Sequence, residues 1–129
     1  MHFTVRKYKN PQNKEDSEKY YPVPFYIGTK DLSDLASEIA HSTSLTKSDV
    51  SAVIEELLVV FNNHLVNGEK IKIKGLGIFR ASFSGKGCET EDEVNANSID
   101  ASSVKVTFVS DNSIRKALKT DISFTKVKR

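Results

Sequence analysis

Apolar and polar residues change rhythm several times along the chain, and each change marks an element. Leu32, Leu35, Ala36, Ile39 and Ala40 recur at helical spacing behind Thr29, which the pattern places as the N-cap. "HSTS" ends that helix. A second, longer helix opens at Thr46, where Asp49 stands three residues on as in a capping box and Leu45 and Val50 fit a hydrophobic staple. Val50, Val53, Ile54, Leu57, Leu58, Phe61 and Leu65 line one side of it, widened by Val59, Val60 and Val66. So broad an apolar surface exceeds what one short helix covers. It predicts burial on several sides, with a partner subunit as the economical source. Gly68 is the natural stop.

Beyond Gly68 the period falls to two. "EKIKIK" reads as a strand with Ile71 and Ile73 on one face and Lys70, Lys72 and Lys74 on the other. "GLG" is the turn. "IFRASFS" alternates again, Phe79, Ala81 and Phe83 against Ile78, Arg80 and Ser82. Residues 84 to 103 are polar, and "VKVTFV" is a third strand with Val104, Val106 and Phe108 inward. Asp111 caps a short last helix carrying Ile114, Ala117 and Leu118, and the tail "DISFTKVKR" holds another possible strand. At the other end, "HFTVRKYK" and "KYYPVPFYIG" flank the polar loop "NPQNKEDSE" as two arms of a hairpin. Pro22 and Pro24, two apart, confine the second arm to an edge.

Composition removes more than it adds. A chain of 129 residues with 38% hydrophobic content fits one domain with a modest core. The net charge of +2 is too small to imply a nucleic-acid partner by itself, so the placement of charge matters more. The single cysteine, Cys88, excludes an internal disulfide framework and reads as an exposed free thiol. His2, His41 and His64 have no ligand spacing, so neither a metal nor another cofactor is expected. His64 reads as a surface or packing residue. No apolar run is long enough for a bilayer, and "MHFTVRK" lacks a signal peptide's apolar region, so a soluble cytoplasmic protein is expected. No nucleophile with its base, no carboxylate pair and no metal cluster can be assembled, which argues against an enzyme. The turn glycines lack the spacing of a nucleotide loop and no helix follows them; a tight hairpin turn accounts for them.

The alternation puts Lys72, Lys74, Arg80 and Lys105 opposite the packing residues Ile71, Ile73, Phe79, Ala81, Val104, Val106 and Phe108. Two readings follow. One is a solvated sheet face. The other is a face that a polyanion relieves of self-repulsion by counterion release.

The order helix, helix, strand, turn, strand, protruding segment, strand, short helix carries "NGEKIKIKGLGIF" at residues 67 to 79. With Gly68, Glu69, Lys70, Gly75, Leu76, Gly77, Phe79, Phe108 and the Lys-Ala-Leu-Lys of residues 116 to 119, it resembles the bacterial histone-like HU/IHF family over roughly residues 30 to 120. The resemblance implies an α+β fold: a helical-hairpin base and an antiparallel β-sheet saddle with a β-ribbon arm, in an intertwined homodimer. Val53, Leu57, Leu58, Phe61, Phe79 and Phe108 would lie in the dimer core. It also implies architectural binding of duplex DNA in the nucleoid with little sequence preference, and no small-molecule substrate or membrane. Residues 1–28 would form an N-terminal β extension and residues 29–129 the DNA-binding domain.

The implied DNA contacts are Lys72, Lys74, Arg80 and Lys105, the backbone N–H groups of Gly75 and Gly77, and Lys86 in the arm. The arm departs from the family's basic, proline-tipped pattern. Lys86 stands alone against Glu89, Glu91, Asp92, Glu93 and Asp100, with no proline. "RKYKNP" at residues 6 to 11 looks like such a tip, so Arg6, Lys7 and Lys9 are further candidates. The competing reading of that hairpin is an edge that closes the sheet, with Tyr20, Tyr21, Phe25 and Tyr26 pairing across strands. The acidic arm also keeps open a second function: a dimeric protein-interaction module that has lost DNA affinity.

Overall fold

The computed structural model describes residues 1–9, 12, 15 and 18–128. Asn10 and Pro11, the tip of the expected basic hairpin, lie outside the described residues. The fold is α+β, with three α-helices and two small three-stranded sheets among the described residues.

β1 (His2–Tyr8) and β2 (Lys19–Phe25) form the N-terminal hairpin, with Val5 opposite Pro22 and Phe3 opposite Pro24. β2 is an edge strand, as its prolines require. The hairpin does not close the sheet of the lysine-rich strands. It makes a sheet of its own with β6 (Thr125–Lys126), which runs parallel to β1 with His2 opposite Thr125. The tail supplies the missing ladder: Thr125 N–H donates to Met1 O at 3.1 Å and Val127 N–H to Phe3 O at 2.9 Å.

α1 (Leu32–Ser42) starts later than the apolar stripe suggests, with Asp31 rather than Thr29 as N-cap. Two carboxylates three residues apart explain the choice. Asp34 N–H donates to Asp31 Oδ1 at 2.9 Å, and Asp31 N–H donates to Asp34 Oδ2 at 3.2 Å. Both charges lie at the positive end of the helix. α2 (Lys47–Val66) opens on the expected box: Asp49 N–H donates to Thr46 Oγ1 at 3.2 Å and Thr46 N–H to Asp49 Oδ2 at 3.1 Å. It ends in a Schellman motif, in which Glu69 N–H reaches His64 O and Gly68 N–H reaches Leu65 O, both at 3.0 Å. Gly68 takes the left-handed conformation this requires, at φ +80°. His64 Nδ1 also lies 2.8 Å from Glu69 Oε2, a pairing across the helix end.

β3 (Ile71–Ile73), β4 (Gly77–Ser82) and β5 (Lys105–Ser110) form the second sheet, antiparallel throughout. β3 is shorter than its alternation suggests: Lys74 leaves the ladder for the turn, which Leu76 N–H closes by donating to Ile73 O at 3.0 Å. Gly77 belongs to β4 rather than to the turn, and Phe83 and Val104 lie beyond the strand ends. α3 (Asn112–Asp121) is capped by Asp111 as expected.

The expected β-ribbon arm is absent among the described residues. Residues 84 to 103 instead form three short 3₁₀ turns, Glu91–Glu93, Ala96–Ser98 and Ala101–Ser103, with one isolated bridge between Gly85 and Ile99. Side chains compete with the ladder. Asn95 accepts from Asn97 N–H and Asp100 from Ser102 N–H, which bends the backbone back on itself. The base is clamped where Ser84 N–H donates to Ser103 Oγ at 2.8 Å.

The capping carboxyls of Asp31, Asp49 and Asp111 titrate below their ordinary value. For Asp31 and Asp111 the main cause is a backbone N–H, of Asp34 and Ser113 respectively. For Asp49 it is the Thr46 hydroxyl. A carboxyl with a lowered folded value stabilises fully above its unfolded value and loses that contribution as pH falls through the folded one. Helicity is therefore expected to fall as the pH drops below about 4, followed by far-UV circular dichroism. Asp31→Asn, whose cap cannot titrate, should show a smaller acid loss; an identical loss would remove this cap from the account.

Candidate nucleic-acid interface

Strand register decides which side chains share a face. Ile71 faces Phe79 across β3 and β4, and Phe79 faces Phe108 across β4 and β5; Ala81 and Val106 pair on the same side. α2 packs on this side at Phe79, with the Phe61 and Phe79 rings edge to face at 5.1 Å and the Phe79 and Phe108 rings 4.7 Å apart. The opposite face carries Lys72 beside Ile78, Arg80 beside Thr107, and Lys105 beside Ser82. Lys72, Arg80 and Lys105 are all exposed. Ile78 and Val109 pair among them, so this face is cationic with an apolar strip.

The turn adds two of the expected residues and withholds a third. Lys74 and Gly75 are exposed, Gly75 at φ +85°. Gly77 is buried: a Cβ there would lie 2.2 Å from Val109 O and 2.6 Å from Phe108 Cε2. Its role is to let two strands approach. Lys86 is exposed in the acidic segment, its N–H donating to Ser98 O at 2.8 Å. Cys88 is an exposed free thiol, as expected.

On the hairpin, strand alternation puts Arg6 and Lys7 on opposite faces. Lys7 is ion-paired with Glu18 and lies 5.9 Å from the centre of the Tyr20 ring. Tyr8 and Tyr21 meet edge to face on Arg6's side. Lys9 is exposed beyond the strand. The hairpin thus does not gather its three cations into one patch.

Asp111 was legible only as a cap. The structure also sets it against the turn, its N–H donating to Leu76 O at 2.9 Å. Only the register, which places Ser110 opposite Gly77, brings the two together. Among the described residues no group of three or more His, Cys, Asp or Glu could hold a metal ion. Among these described residues no helix is long and apolar enough to cross a membrane either.

Residues 1–126 match the protein family described as an HU domain fused to wHTH, Ig, or glycine-rich motif, HU-HIG. The chain belongs to this HU-HIG family. Among individual relatives it is 32% identical over 65 residues to the DNA-binding protein HU of Streptococcus mutans, covering 47% of this chain and 71% of that one. It is 39% identical over 46 residues to the DNA-binding protein HU of Thermus thermophilus, covering 36% of this chain and 47% of the relative.

Two solved structures share the fold. A putative bacterial DNA binding protein from Bacteroides vulgatus superposes with a TM-score of 0.61 at 15% identity, over 98% of this chain. The chain spans 49% of that protein's length. The HU of an Anabaena HU–DNA cocrystal superposes with a TM-score of 0.52 at 17% identity, over 69% of this chain and 97% of its own. The shorter HU fold thus leaves part of this HU-HIG chain uncovered, whereas the Bacteroides likeness takes in nearly all of it.

Proposed function

We propose that the chain is a non-enzymatic architectural DNA-binding protein of the bacterial nucleoid, in the cytoplasm. It acts as an intertwined homodimer whose sheets form a saddle on the duplex. One observation carries the reading: Lys72, Arg80 and Lys105 share the sheet face that points away from α2. Together with Lys74 and the Gly75 N–H at the turn, they offer charge and donors to backbone phosphates and little that distinguishes one base pair from another. Membership of the HU-HIG family and the names of the HU relatives support the partner. The hairpin would stand as an extension to the DNA-binding domain. Arg6 and Lys9 are secondary candidates; Lys7 must first release Glu18, and Lys86 must work among acids.

The acidic segment favours a different mode of binding from a wrapping arm. It has no ribbon to enter the minor groove and no proline to wedge between bases. The main contact is therefore the saddle face rather than an arm. The same segment supports the second reading, a protein-interaction module on the HU fold.

The test is binding of a labelled duplex of about 30 base pairs across a salt series. Affinity is expected to fall log-linearly with salt. The Lys72→Gln, Arg80→Gln, Lys105→Gln variant should weaken binding at least about tenfold and flatten the slope by about 0.9 for each phosphate it no longer neutralises. Absence of binding by the native chain even at low salt would select the interaction module.

A further inference from the structure

Asp111 sets a carboxylate at the turn that presents Lys74 and Gly75. Its backbone N–H donates to Leu76 O, which ties the start of α3 to that turn. Its Oδ1 accepts from Ser113 N–H at 2.9 Å and from Ser113 Oγ at 3.1 Å, so the side chain is held in one place. The Ser113 N–H holds this carboxyl below its ordinary value, with smaller contributions from the Gly75 N–H and the charge of Lys72. The group is ionised at neutral pH and stands beside the turn, where the Leu76 carbonyl accepts from its N–H.

A carboxylate and a phosphate seek the same partners, cations and free N–H groups. An approaching phosphate at this turn meets a fixed negative charge of the chain's own. We propose that Asp111 weakens phosphate binding at the turn by setting a fixed negative charge of the chain's own beside Lys74 and Gly75. The inference rests on the DNA-binding reading above. It makes the saddle a deliberately weak binder, with part of its cationic face answered from within the chain.

The test uses Asp111→Asn, which keeps a capping side chain and removes the charge. Asp111→Ser serves as a second uncharged cap, and Asp121→Asn removes one charge at the far end of α3. Binding of the labelled duplex is read across salt. Asp111→Asn and Asp111→Ser should bind about threefold to tenfold more tightly near 0.1 M salt, with a slope steeper by about 0.9 for each phosphate newly neutralised. Asp121→Asn should stay within about twofold of the native chain. Salt-dependent native binding that Asp111→Asn leaves unchanged, or an equal gain from Asp121→Asn, overturns the proposal and leaves the DNA-binding reading intact. Absence of binding by both the native and the Asp111→Asn chains removes the DNA-binding reading itself, and this inference with it.

Discussion

Gly77→Ala is expected to lose about 3–5 kcal/mol of stability, a large part of what a domain of this size possesses. Two causes add. Gly77 has φ +152°, which an L side chain adopts only with strain. The new Cβ would also lie 2.2 Å from Val109 O and 3.0 Å from Ser110 Cα, backbone atoms that move only if β5 moves. Displacing β5 would pull Phe108 from Phe79 and carry Asp111 away from the turn. Gly75→Ala is the comparison, because nothing lies within 4 Å of its Cβ position and only the strain of φ +85° remains. It should cost roughly 1–2 kcal/mol. Urea unfolding of both variants at one protein concentration decides the matter. Equal shifts would mean that the close strand approach at Gly77 does not set the cost.

The contrast between these two glycines shows how far the sequence could be read. Both stand in one "GLG" motif, and the motif identifies a turn without saying which glycine bends the chain and which admits a neighbouring strand. That difference depends on register with β5, some thirty residues away. Local signals were legible wherever the physics is local. The Thr46–Asp49 box, the Gly68 stop, the Asp111 cap and the two faces of β3 to β5 all follow from spacing within a few residues. Thr29 and Asp31 both suit the role of cap for α1, and only the reciprocal bonds with Asp34 separate them. The ribbon expected over residues 84 to 103 follows from the family resemblance and not from the segment's own residues. The segment's Asn95 and Asp100 turns point elsewhere. The parallel pairing of β6 with β1 joins the two ends of the chain and leaves no local trace. In the candidate site, alternation found Lys72, Arg80 and Lys105, but it could not show that Asp111 stands beside the turn.

Leu57→Asp is expected to abolish the homodimer and, with it, most of the folded protein. Among the described residues only Ala36 and Val50 are buried apolar side chains, and none of the large ones is fully buried. Such a core is far smaller than 129 residues ordinarily assemble. The missing apolar surface is present but faces outward. α2 turns Val50, Ile54, Phe61 and Leu65 toward its own chain, while Val53, Leu57 and Leu58 remain 63%, 42% and 59% exposed. Val53, Leu57 and Val60 follow one another at helical spacing, a second stripe beside the first. Leu35 and Ile39 on α1 are exposed as well, and Leu118 leaves α3 with an uncovered apolar side. A second copy of the chain would bury these faces against their equivalents, contributing about 1.5–3 kcal/mol for each large side chain fully covered. An aspartate at position 57 would place a charge with no partner in the middle of that interface, at a cost on the order of 4 kcal/mol or more. Native unfolding should depend on protein concentration, as it must when folding and association are one step. Sedimentation should give twice the chain mass for the native protein and a monomer with reduced helicity for Leu57→Asp. A native chain that sediments as a stable monomer, with a melting temperature independent of concentration, would end the homodimer reading and, with it, the intertwined saddle.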